Sequence, residues 1–314
     1  MTFPLVQEKR KCLTALILSA LFLLFLIYGL DIQHFGHLKP KSKQRHHYRK
    51  QYLPNALLIG VRKGGTRALL RSLCLNPNIH TVSKEVHFFD RDENYKNGME
   101  WYRKKMPFVS TEASGQIIIE KTPAYFVTPS VPERIYNMSK TVKLIVVVRN
   151  PTRRAISDYT QLKSKNPSLP PFEEYVTTDK AQKILKVNDS CVHIGVYCKH
   201  LQNWLKYFPL KQFHFVSGEQ LSSDPIPELR NIEKFLNLDP KIKKDDIVFN
   251  ETKGFPCFKK RMPQNGSFKY SCLGPSKGRV HPQVRPDILQ LLMTYYSPYN
   301  KQFYKMVNRD FGWM

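Results

Sequence analysis

An apolar run, Ala56–Val61, leads without a break into Arg62-Lys63-Gly64-Gly65-Thr66-Arg67, and a helical pattern follows over Ala68–Leu75. A strand that turns through glycines into a helix aims bare backbone N–H groups and a helix N-terminus at one spot, which suits a phosphate. Gly60 and Gly65 keep the glycine spacing of a nucleoside triphosphate loop, Gly-x4-Gly-Lys-Ser/Thr, but Thr66 follows Gly65 directly and the lysine stands at position 63. The loop therefore reads as a phosphate cradle of another kind, against the plainer alternative of a tight strand-to-helix connection.

A second constellation repeats the arrangement. The run Leu144–Val148 ends in Arg149-Asn150-Pro151, and Ser157-Asp158-Tyr159 follow where the next helix should lie. Arg149 at the C-terminal edge of a parallel strand sits where open α/β sheets hold ligands; in isolation the plainer reading is that it pairs with a carboxylate and Ser157 faces solvent. Between the two motifs lies Lys84-Glu85-Val86-His87-Phe88-Phe89-Asp90. Alternation along an extended segment would point Glu85 and His87 to one face, which supplies a candidate general base. A surface carboxylate paired with a lysine is the plainer reading of Glu85.

The elements that must carry these residues have an α/β signature. Strands are expected at Ala56–Val61, Gln116–Glu120, Lys143–Val148 and Phe213–Ser217, with helical patterns at Ala68–Leu75, His200–Tyr207, Ile226–Leu236 and Ile288–Tyr296. No internal repeat or low-complexity tract is present. The 41% hydrophobic and 12% aromatic content of the 314 residues is ample for a packed core.

The net charge is +25, of which residues 1–50 carry +7 and the rest +18, so a polyanionic partner is expected. Charge alone does not choose among nucleic acid, an anionic membrane and a sulfated polysaccharide; topology does. Cys12–Leu30 is a stretch of 19 residues without a charge, preceded by Lys9-Arg10-Lys11, close to the ~20 that span a bilayer as a helix. This predicts a cytosolic tail at 1–11, a signal-anchor helix at 12–30, a polar stem at 31–52 and a luminal domain at 53–314. A cleaved signal peptide is the alternative, and it leads to the same compartment. Sequons at Asn137, Asn188, Asn250 and Asn265 agree with a lumen, and both the anchor and the sequons disfavour nucleic acid.

Cys257 and Cys272 bracket a polar segment and are expected to form a disulfide. Cys191 and Cys198 can either pair or stay free, and Cys74 reads as a small buried hydrophobe. No His/Cys spacing recurs that would suit a metal, so none is expected.

Taken together, the two strand–loop–helix motifs resemble the 5′-phosphosulfate loop and the 3′-phosphate site of sulfotransferases that use 3′-phosphoadenosine 5′-phosphosulfate (PAPS). The resemblance implies a P-loop-like sulfotransferase fold, with a central parallel sheet between flanking helices. It gives Lys63, Gly64, Gly65, Thr66 and Arg67 to the 5′-phosphosulfate, and Arg149 and Ser157 to the 3′-phosphate. Lys277-Gly278-Arg279 resembles a segment that closes over the same nucleotide. Glu85–Asp90, Glu120–Phe126, Ser157–Gln161 and Lys253-Gly254-Phe255 are similar to the heparan sulfate glucosamine 3-O-sulfotransferases in particular, over about Leu53–Trp313. That similarity implies a Golgi enzyme acting on heparan sulfate, with Glu85 as base and Lys63 at the leaving oxygen. Arg67, His87, Asp90, Lys121 and Gln161 would line the acceptor sugar. Ser271 stands where some relatives place an arginine, and Val248 precedes Phe249, departures that bear on the preferred sulfation pattern rather than the reaction.

Two other enzyme classes compete. A glucosaminyl N-sulfotransferase or another carbohydrate sulfotransferase would share the PAPS sites and differ at the acceptor, and a nucleotide kinase is disfavoured by the displaced lysine. A non-catalytic heparin- or nucleic-acid-binding protein would keep the charge without needing Glu85 and Lys63.

Overall fold

The computed structural model describes residues 19–20, 49–111, 114–178, 184–252, 254–261, 267–274 and 278–313. The chain divides into two compact units, Met1–His47 and Tyr48–Met314. Of the first only residues 19–20 are described, in helical conformation, so the expected anchor at 12–30 lies almost wholly outside the described residues. Among those residues no helix is long and apolar enough to cross a membrane.

The second unit is built on five parallel strands: β1 (Ala56–Gly60), β2 (Ile79–Thr81), β3 (Ile117–Lys121), β4 (Lys143–Val148) and β5 (Phe213–Ser217). They run in the order β2-β3-β1-β4-β5. Parallel strands covered on both faces read as unbroken apolar runs, which is why β1 and β4 fall where the sequence puts them. The two-residue period sorts them into two cores. Leu57, Ile59, Leu144, Val146 and Val148 face one layer, with Phe126, Trp204 and Tyr296. Ala56, Leu58, Ile145, Val147 and Val216 face the other, with Leu69, Leu73 and Ile232.

Among the helices are α1 (Thr66–Leu73), α2 (Val131–Met138), α3 (Pro151–Lys165), α4 (Tyr197–Trp204), α5 (Gly218–Ser223), α6 (Pro225–Phe235) and α7 (Pro286–Val307). Helix α1 begins two residues before the expected start, directly after Gly65, whose φ of 116° only glycine adopts readily. Helix α7 runs well past the expected Tyr296 and continues through Pro298. A proline inside a helix removes one hydrogen bond, but burial of Phe303 and Tyr304 beyond it holds the last turns against the core.

Strand order reverses at β1, so the loops after β1 and β4 diverge and leave a crevice at their carboxyl ends, the usual ligand position in such sheets. A separate antiparallel sheet, β6 (Ile247–Asn250), β7 (Phe255–Arg261) and β8 (Phe268–Ser271), is tied by the expected disulfide between Cys257 and Cys272. Cys191 and Cys198 are free and buried. Cys74 departs from expectation: it caps the end of α1 beside the sheet-edge strand β2 and is exposed, with Sγ 3.1 Å from Thr81 Oγ1. The described residues include the last of the expected stem, where Arg49–Lys50 pair with Val109–Ser110 and Gln51 Nε2 donates to Met106 O at 2.7 Å.

Candidate active site

The loop after β1 is stitched to its neighbour strand. The Val61 N–H donates to Val147 O and the Gly64 N–H to Val61 O, each at 2.9 Å. A Cβ on Gly64 would collide with the Val147 carbonyl oxygen, so the close approach that forms the cradle admits only glycine. Lys63 adopts φ 71°, a left-handed conformation costly for a lysine. Across the crevice, Asn150 caps α3 by accepting the Arg153 N–H at 3.2 Å, while its own N–H donates to Glu219 Oε1 at 2.9 Å. Tyr197 donates to Arg149 O at 2.7 Å, fixing the backbone on which the Arg149 guanidinium stands.

These loops open onto one cavity of ≈ 490 Å³. Lys63, Gly65, Thr66, Arg67, Arg149 and Ser157 line it, and so do Glu85, His87, Lys121 and Gln161, with Gly278 and Arg279 at its rim. The two phosphate motifs and the base candidate, 22 to 86 residues apart in sequence, thus share one space. Gly64 does not line the cavity and packs against the Val147 carbonyl. Lys277 and Lys253 lie outside the described residues, as does Asn265; Asn137 and Asn188 are exposed and Asn250 is half-buried.

Helix α3 holds both cations of the first loop. Lys63 Nζ donates to Gln161 Oε1 at 3.0 Å. Arg62 Nε and Nη2 donate to Asp158 Oδ2 at 3.1 and 2.8 Å. The same carboxylate oxygen accepts from Arg154 Nη1 at 2.9 Å, and Arg154, fully buried, also donates to the Cys191 carbonyl. Ser157, Asp158 and Gln161 sit within about one turn of the helix, so a single rigid element links Arg62, Lys63 and the second phosphate motif.

Glu85 is one-third exposed, and its carboxylate pairs with the buried Lys121 ammonium through Oε1 and faces His87 Nε2 at 3.5 Å through Oε2. His87 Nδ1 is 2.7 Å from Asp90 Oδ2. A carboxylate can only accept, so the ring carries its proton on Nδ1 and turns Nε2 toward Glu85. One expectation needs correction. The Lys84–Asp90 segment is not extended: His87 has φ 52°, and the turn, not strand alternation, brings Glu85 and His87 together. Asp90 is 7% exposed, bonds to the His87 ring and is not among the residues that line the cavity.

The cavity is strongly cationic. Burial pulls the Arg149 guanidinium below its ordinary pKa, an effect Glu219 opposes. Burial also lowers His281, reinforced by Arg149, Lys63 and Arg153. A neutral imidazole amid three cations marks a site shaped for an anion. His281, Asp158, Arg154 and Glu219 went unassigned in the sequence. Of these only the Arg154/Asp158 spacing of four residues on one helix carried a signal; Glu219 joins Asn150 through tertiary folding alone. Among the described residues, no group of three or more His, Cys, Asp or Glu side chains stands ready to hold a metal ion.

Fold and site together define a sulfotransferase domain, and the family model described as "Sulfotransferase domain" matches residues 53–306. Human heparan sulfate glucosamine 3-O-sulfotransferase 5 is 47% identical over 87% of this chain and 78% of its own length. Mouse heparan sulfate glucosamine 3-O-sulfotransferase 6 is 49% identical over 84% of this chain and 75% of its own. A sulfotransferase crystal structure from Alicyclobacillus acidocaldarius shares the fold, with TM-score 0.60 at 20% identity over 82% of this chain and 97% of that one. The chain belongs to the heparan sulfate glucosamine 3-O-sulfotransferase family.

Asp158→Asn should leave the Arg62 and Arg154 guanidiniums facing a neutral amide. Breaking a buried pair from one side costs about 3–5 kcal/mol, so urea unfolding should show a loss of that order, larger than the loss for Arg62→Gln, whose side chain is 39% exposed.

Proposed function

We propose that this protein transfers a sulfuryl group from PAPS to the 3-hydroxyl of glucosamine residues in heparan sulfate. The observation that carries the reading is the shared cavity: Glu85, with its Lys121 partner, opens onto the same space as the Lys63–Arg67 loop and the Arg149/Ser157 pair. Lys63, Gly64, Gly65, Thr66 and Arg67 hold the 5′-phosphosulfate, where loop N–H groups and the N-terminus of α1 favour negative charge. Arg149 and Ser157 hold the 3′-phosphate, and the late loop of Lys277, Gly278 and Arg279 covers the nucleotide. This second phosphate is what separates PAPS from ATP. Arg67, His87, Lys121 and Gln161 contact the acceptor sugar, and Asp90 acts through His87.

Glu85 takes the proton of the attacking hydroxyl as the new O–S bond forms, and the bond from sulfur to the bridging phosphate oxygen breaks in line with it. Lys63 stabilises the negative charge gathered on the departing adenosine 3′,5′-bisphosphate. Lys121 grips the Glu85 carboxylate and His87 stands beside it, so that it stays aimed into the cavity while it is partly shielded from water. The +18 charge outside residues 1–50 complements a sulfated, carboxylated chain. The compartment proposed is the Golgi lumen, with residues 12–30 as a single-pass anchor, the stem as a tether and N-glycans on Asn137, Asn188, Asn250 or Asn265. Names and identity of the relatives support the acceptor, and the uncharged 12–30 stretch supports the anchor.

Glu85→Gln should retain the fold and nucleotide affinity while turnover falls by at least the ~10²-fold typical of losing a general base; near-normal turnover removes Glu85 from the role. Arg149→Ala should weaken adenosine 3′,5′-bisphosphate in calorimetry by at least about tenfold, as expected for a charge-assisted contact. Unchanged affinity contradicts the placement of the 3′-phosphate.

A further inference from the structure

The segment bearing Glu85 and His87 belongs to no helix or strand, yet it must hold a left-handed His87 and keep Glu85 aimed at the cavity. Its backbone groups have to be satisfied one by one, and side chains do this. The Val86 N–H donates to Glu120 Oε1 at 3.4 Å, the His87 N–H to Thr122 Oγ1 at 3.3 Å, and the Phe88 N–H to the Tyr125 hydroxyl at 3.1 Å. On the other edge, Asn94 Nδ2 donates to Val86 O at 3.2 Å and to His87 O at 2.8 Å. Three consecutive amides and two consecutive carbonyls are thus held by four side chains in place of a ladder strand.

The acceptors are themselves fixed. Thr122 Oγ1 donates to Glu120 Oε1 at 2.6 Å, and the Tyr102 hydroxyl donates to Glu120 Oε2 at 3.2 Å. Glu120 and Tyr125 are fully buried. Burial pushes the Tyr125 phenol well above its ordinary pKa, so its hydroxyl stays protonated. Glu120 and Lys121 are the last two residues of β3, and their side chains hold the same segment at two points. Lys121 grips the Glu85 carboxylate while Glu120 grips the backbone just after it.

We propose that Glu120, Thr122, Tyr125 and Asn94 form a positioning brace that sets the geometry of Glu85 and His87, with Glu120 at its centre. None of the four needs to touch donor or acceptor; they act through the loop. The proposal rests on the reading of Glu85 as the base. A brace of this kind affects the chemical step more than nucleotide binding, because the phosphate loops hang from β1 and β4 rather than from this segment.

The test compares the full chain with its Tyr125→Phe, Asn94→Ala, Glu120→Gln and Glu120→Ala variants in three measurements: calorimetric affinity for adenosine 3′,5′-bisphosphate, hydrogen exchange over 84–90, and steady-state turnover. Tyr125→Phe and Asn94→Ala should speed exchange in that segment and lower kcat by tenfold or more, toward the ~10²-fold that a misplacement near 1 Å can cost, with nucleotide affinity within about twofold and KM moving less than kcat. Glu120→Gln keeps an oxygen for the Val86 amide and should retain more kcat than Glu120→Ala. Should Glu120→Ala fail to fold, Tyr125→Phe and Asn94→Ala decide alone. Wild-type exchange and wild-type kcat in both overturn the brace, as does a nucleotide affinity that falls in step with kcat. Normal turnover in Glu85→Gln would sink the base assignment while leaving the exchange result standing, so the two failures are distinguishable.

Discussion

The site depends on one close backbone approach. Gly64 lies so near the Val147 carbonyl that any side chain there would collide with it, and the Val61 amide bonds to that same oxygen. This contact draws the start of the loop after β1 against the end of β4, which places the cradle beside Arg149 at the crevice. Gly65 then turns the chain through a conformation other residues avoid and starts α1 pointing at the same spot. Each other part of the site is measured from that junction.

Around it, cations that would repel one another are held by a few carboxylates outside the phosphate positions. Asp158 binds the guanidiniums of Arg62, in the loop after β1, and Arg154, on its own helix, and Glu219 fixes the Asn150 backbone while its charge supports Arg149. The Arg62–Asp158 pair and the Lys63–Gln161 hydrogen bond keep these two cations placed before any ligand arrives, so less ordering remains to be done on binding. Glu85, by contrast, pairs with one buried lysine and one histidine, and stays accessible at one-third exposure. Charge is neutralised where it would only destabilise the fold and left open where a polyanionic ligand would meet it.

Much of this could be read in the residues alone. Parallel strands such as Ala56–Gly60 and Lys143–Val148 announce themselves because burial on both faces demands unbroken apolar runs. The two glycine- and arginine-bearing loops were legible because their chemistry is local to a few residues. What could not be read was set by tertiary contacts. His87 turns left-handed because side chains from β3 and beyond hold its neighbours, which no local pattern encodes. The bond from Asp90 to the His87 ring is likewise not announced by the sequence. Cys74 lies in an apolar stretch, yet the edge strand beside it leaves it open. The continuation of α7 through Pro298 reflects packing of Phe303 and Tyr304 that outweighs a local helix breaker.

The most direct test of the central claim is the position of the transferred group. Residues 49–314 incubated with sulfur-labelled PAPS and heparan sulfate, followed by enzymatic depolymerisation, should place the label on glucosamine O3. Label on nitrogen or on another oxygen would contradict the acceptor assignment, and no transfer by folded, nucleotide-binding protein would contradict the reaction itself.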